Sequence, residues 1–133
     1  MHPLPLRLRP GDDLRRAIEA ALQPYGAAFV MQGIGSLSVA CLRFAGRPRP
    51  EELVGDIEIL TLAGSVSPDG AHLHMTIADA DGRVLGGHVA PGCIVRTTAE
   101  LLVALLPAFA FGREVDAATG YPELAIRAAP RSG

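Results

Sequence analysis

The chain has 133 residues, 49% apolar and 20% charged, a balance that builds one domain with its own core and excludes a disordered chain. A net charge of −2 and a pI near 6.0 argue against a domain whose main work is gripping phosphate backbones. The longest unbroken apolar run, Leu101 to Leu106, excludes a membrane-spanning helix, which needs about 20 apolar residues.

Read in chain order, Leu4, Leu6 and Leu8 alternate with Pro5, Arg7 and Arg9, the period-two pattern of a half-buried strand. Pro3 and Pro5 place that strand at a sheet edge, or have it begin outside the sheet. Pro10-Gly11-Asp12-Asp13 then turns into a helix, with Asp12 as N-cap and Asp13 in the first turn. Leu14, Ala17, Ile18, Ala21 and Leu22 form its apolar face, and Pro24 and Gly26 stop it. From Gly26 the period becomes β. Ala27 to Gln32 reads as one run, Gly33-Ile34-Gly35-Ser36 as a turn or interface contact, and Leu37 to Phe44 as the next run. Leu37, Val39, Cys41 and Arg43 share one face of it. A loop rich in Arg, Gly and Pro follows, Ala45 to Pro50. Gly55 to Val66 is a long strand with Ile57, Ile59 and Thr61 on one face, and Ser67-Pro68-Asp69-Gly70 is a turn. His72 to Asp79 and Arg83 to Val89 are two strands joined by Ala80-Asp81-Gly82. After Ala90-Pro91-Gly92, the stretch Cys93 to Leu106 fits one long strand or a strand leading into a helix. The tail from Arg113 to Arg127 carries turn residues and one short apolar stretch. The expected fold is α+β: one N-terminal amphipathic helix on a mostly antiparallel sheet of six to eight strands.

The chemistry concentrates between His72 and His88, which hold three of the four histidines. His72 and His74 are two apart and share a strand face. His88 depends on the hairpin register. Asp79-Ala80-Asp81-Gly82 fits a type I turn with Gly82 left-handed, so paired residue numbers sum to 162 and His74 faces His88. With Asp81-Gly82 as a two-residue turn the sum is 163, and His88 faces the other way. The first register brings three imidazoles to one ion, the three-ligand arrangement of catalytic zinc with an open position. Imidazole also suits iron, nickel and copper. A neutral histidine cluster packed between subunits is the competing reading. Gly86 and Gly87 beside His88 permit close approach of a ligand or of backbone.

Mean hydropathy is +0.28, apolar surface best buried between copies of the chain. All twelve cations are Arg, a pattern of base composition rather than chemistry. Cys41 and Cys93 are too few for a disulfide framework, and Met1-His2-Pro3-Leu4-Pro5 does not begin a signal peptide, so a cytoplasmic protein with free thiols is expected.

Arg7-Leu8-Arg9-Pro10-Gly11-Asp12-Asp13-Leu14, Gly33-Ile34-Gly35-Ser36-Leu37, Glu58 through Gly64, His72-Leu73-His74, Gly86-Gly87-His88 and Thr97-Thr98-Ala99-Glu100 together resemble the plants-and-prokaryotes-conserved (PPC) domain, from about Pro5 to Tyr121. The resemblance implies a homotrimer and structural kinship to acetolactate decarboxylase, whose zinc sits on a His-x-His pair plus a third His. His72, His74 and His88 stand at those positions, which implies one divalent transition metal per chain, zinc first. Glu100, in the Thr-Ala-Glu stretch, and Glu58 are the carboxylate candidates for a general base or a further ligand. Arg96, with Gly86 and Gly87, is a candidate for holding a small anionic ligand. Metal-dependent lyase or hydrolase chemistry rests on fold analogy alone.

Two competing functions follow. A DNA-associated regulator has the family's usual label behind it. Against it stand the acidic pI and the absence of an AT-hook: Gly46-Arg47-Pro48-Arg49-Pro50 has Ala45 where the hook's first Arg belongs, and reads as a surface loop. The other alternative is a metal-free assembly module with the histidines at a subunit boundary.

Overall fold

A computed structural model describes residues 1–131. Nine elements follow one another: β1 (His2–Leu8), α1 (Leu14–Leu22), β2 (Ala28–Arg43), β3 (Glu51–Ser67), β4 (Gly70–Ala78), β5 (Val84–Val89), β6 (Ile94–Leu105), β7 (Phe109–Val115) and β8 (Pro122–Ala128). Six strands form one antiparallel sheet in the order β1-β6-β2-β3-β4-β5, and β7 pairs with β8. The C-terminal end of β2 also pairs with β5, Leu42 to Val89 and Arg43 to His88. Strands β2, β3, β4 and β5 therefore close on themselves, with β5 and β6 lying end to end along one side of β2.

The single helix among the described residues buries Leu14, Ile18 and Leu22 against this sheet. Each such side chain contributes roughly 1.5–3 kcal/mol of transfer free energy. Its N-cap is Asp13, not Asp12: Asp13 Oδ1 accepts from Arg16 N, while Asp13 Oδ2 accepts from Gly92 N at 2.7 Å. Asp12 turns back instead to accept from Arg9 N. One aspartate thus both starts the helix and ties it to the turn before β6, which is why the cap falls one residue later.

Gly33-Ile34-Gly35-Ser36 is not a turn. It lies inside the unbroken strand β2, where flanking β3 and β6 satisfy its backbone on both sides. Gly35 permits that approach, since a Cβ there would sit 2.5 Å from Thr98 O. Two bulges re-aim side chains. In β3 the register shifts between Ile59 and Thr61, so Leu62 faces the core and Thr61 does not. In β2 it shifts between Leu37 and Val39. The core face passes from Leu37 to Ala40 and Leu42, while Cys41 and Arg43 fall on the opposite, half-buried face, Cys41 against the edge of the core. Cys93 to Leu106 resolves into one strand, and the tail into the β7–β8 hairpin.

Candidate metal centre

Strand β4 alternates cleanly. Leu73, Met75 and Ile77 are buried, and His72, His74 and Thr76 occupy the outer face. The β4–β5 turn follows the first of the two registers: Gly82 N donates to Asp79 O, Gly82 has φ +77°, and Asp79 Oδ1 accepts from both Asp81 N and Arg83 N. Asp79 thereby fixes the pairing, and His74 stands opposite His88. On the other flank His72 faces Ser65 of β3. Gly64 beside it has φ +154°, and a Cβ there would overlap the carbonyl of His72. Only glycine lets β3 carry β4 in this close.

The three rings converge. Their centroids lie 5.0 Å (His72–His74), 4.4 Å (His74–His88) and 5.5 Å (His72–His88) apart. One ring nitrogen from each lies within 4.8 Å of the others. A tetrahedral ion with Zn–N bonds of about 2.1 Å needs nitrogens about 3.4 Å apart. His72 and His88 are half-buried and His74 is exposed, which leaves the centre open to a ligand. Burial first, then the Arg113 charge and His74, pushes His72 below the ordinary histidine range. Burial first, then Arg43, does the same for His88. Both rings are therefore neutral near pH 7, the form a metal requires.

Arg113 Nη2 lies 3.3 Å from His72 Nδ1. Neutral imidazole has a single ring lone pair, so that hydrogen bond and an ion on His72 exclude each other. Arg113 is placed by Asp69, whose Oδ2 accepts from Arg113 N at 2.9 Å. A cavity of about 870 Å³ opens beside the histidines, with Arg15, Arg43, Arg47 and Arg113 in its wall, along with Asp69 and Glu123.

The other candidates lie elsewhere in the chain. Glu100 stands opposite Arg7 of β1 and Ile34 of β2, in a separate groove with Pro5, Leu6, Gln32 and Leu102. Glu58 pairs with Ser36 and Ala78 in the sheet. Arg96 forms an ion pair with Asp56 at 3.2 Å. None of the three lines the histidine cavity. Gly87 has a packing role: a Cβ would meet Arg43 O at 2.8 Å. Sequence reasoning missed the cavity arginines. Only Arg43 had a usable signal, its place in an alternating strand, and the bulge reversed its face. Gly46, Arg47, Pro48 and Pro50 also line the cavity, so the loop that mimics a DNA hook belongs to this site. Cys93, buried beside Cys41, has its thiol pushed up to about 11 by burial, which suits an inert core residue.

Two curated relatives are bifunctional GlmU proteins from Synechococcus strains, each 50% identical over 92% of this chain; the chain spans 20% of their length. A solved hypothetical protein from Salmonella is 40% identical, with TM-score 0.92 over 96% of this chain and 94% of its own. A metal-containing protein from Archaeoglobus fulgidus is 30% identical, with TM-score 0.80 over 94% of both chains. Two further structures of this fold, from Bacteroides thetaiotaomicron and Ralstonia eutropha, carry provisional DNA-binding descriptions. The model of the Plants and Prokaryotes Conserved (PCC) domain matches residues 1–107. With the fold and the relatives in agreement, the chain belongs to the Plants and Prokaryotes Conserved domain family.

Proposed function

We propose that this chain is a homotrimeric metal-binding domain that holds one divalent transition metal, zinc first, on His72, His74 and His88 and offers it to a small anionic molecule. The observation that carries the reading is the convergence of three ring nitrogens within 4.8 Å on a face open to a large cavity. The name of the Archaeoglobus protein supports it. Bound zinc would supply a Lewis acid and a water of lowered pKa. The chain's own part is to hold three neutral imidazoles and to surround the ligand with guanidinium groups. Lyase or hydrolase chemistry of the acetolactate decarboxylase kind extends this reading by analogy. A role for Glu100 or Arg96 at the centre requires delivery from a neighbouring subunit.

Association is supported by Met31, Ile34 and Leu102, which are 53%, 51% and 47% exposed on the outer face of β2 and β6. Apolar groups clustered in this way ask for cover. The DNA reading has less behind it. The net charge is −2, and among the described residues the one α-helix turns its apolar face into the core. The test is metal content by mass spectrometry on untagged protein. We expect close to one ion per chain, and near zero in His74→Ala. No ion after incubation with zinc, iron, nickel or copper would overturn the reading.

A further inference from the structure

The histidine centre contains no carboxylate ligand, and its neighbours are cationic. Three imidazoles are neutral ligands, so a divalent ion on them keeps its full charge. Arg15, Arg43 and Arg113 line the cavity together with His72 and His88, with Arg113 Nη2 3.3 Å from His72 Nδ1 and Arg43 paired with His88, so a cationic field surrounds both rings. The same field disfavours a dication. Four arginines line the cavity against Asp69 and Glu123, a surplus of positive charge in a chain whose net charge is −2.

These arginines are only partly engaged. Among the described residues Arg43, Arg47 and Arg113 form no ion pair. Arg43 Nη1 donates to Arg47 O, Arg113 Nη2 to Pro122 O, and Arg15 Nη1 to Val89 O. Arg15 Nε is buried without a hydrogen-bond partner, although Glu19 Oε1 lies 3.5 Å away. Each fork therefore keeps donors to spare. An ion on His72 would also release Arg113 from that ring.

We propose that the cavity is a polyanion site, and that its ligand is a small molecule with at least two oxyanion groups, phosphate or carboxylate. One group lies at the histidines and supplies the negative charge the metal centre lacks. The other is held by the guanidinium forks of Arg15, Arg43 and Arg113, which match planar oxyanions bidentately. The placing of the first group rests on the metal reading above; the arginine half does not. One part of the wall, Arg113, Tyr121, Pro122 and Glu123, comes from the β7–β8 hairpin, beyond residue 107 where the family match ends. Anion and metal should then bind with positive, reciprocal coupling.

The experiment is calorimetric titration of metal-free protein at constant ionic strength, with inorganic pyrophosphate in one arm and succinate in the other. We expect saturable binding of at least one, weakened tenfold or more in the double variant Arg43→Gln/Arg113→Gln. Arg83→Gln, on an exposed turn, should bind as wild type, and circular dichroism verifies that all variants are folded. Titration of Zn²⁺ with and without saturating succinate reads the coupling, and tighter zinc binding with the anion is expected. No saturable binding of either probe, or binding indifferent to the double variant, overturns the proposal. Arginine-dependent binding by a protein that takes up no metal would overturn the metal reading alone.

Discussion

The outer surface of the sheet has two contrasting regions. Around His72, His74 and His88 it is concave, polar and ringed by arginine. Around Ile34 and Leu102 it is apolar, and its charged neighbours, Arg7 and Glu100, face each other across β1 and β6. Strand β2 contributes to both, with Ile34 near its middle and Arg43 at its end. The comparison teaches that one long strand can line both an arginine-rich cavity and an exposed apolar region, provided a bulge changes which side chains face outward between them.

The largest expected effect comes from removing the glycine that seats the histidine strand. Gly64→Ala brings a Cβ against the His72 carbonyl at a φ that side chains resist, and should cost about 3 kcal/mol or more. Chemical denaturation measures it; a variant of unchanged stability would show that β3 and β4 are not held by this close approach. Next comes the apolar region. Leu102→Glu should break the proposed oligomer into monomers, read by light scattering, while the metal content per chain stays at the wild-type level. Loss of metal together with assembly would show that the two regions are not independent. The smallest effect is on pH. His72 and His88 lie below the usual histidine value in the fold, so folding favours their neutral rings. That stability is complete above the unfolded value of about 6.5 and is lost as pH falls through the lower folded values. Metal-free protein should therefore lose more thermal stability between pH 7 and 5 than the His72→Gln/His88→Gln variant. An equal loss in both would place the acid sensitivity elsewhere.

The histidine centre was legible because its geometry is local. Alternation put His72 and His74 together, and Asp79 and Gly82 chose the register that brought His88 across. The arginines were not legible, because they come from α1, the end of β2, the loop after it and the β7 hairpin, joined only by tertiary packing. The helix was legible from its apolar face, but its cap was not, because Asp13 also serves Gly92, a partner far along the chain. The middle of β2 was misread as a turn for a related reason. Two glycines in a row of small residues suggest a bend, whereas here they admit β3 and β6 at short range.

The closure of β2 onto β5 also bears on how so strand-rich a chain remains discrete. A sheet normally ends in two exposed edges, each able to recruit another strand and grow. Here the end of β5 is folded back and paired through His88 and Val89, which shortens one edge of the sheet and leaves β1 at the other. Pro3 and Pro5 lie in β1 while its other side pairs with β6 along its full length. Neither proline has an N–H to offer, so along this edge an incoming strand finds fewer donors to pair with.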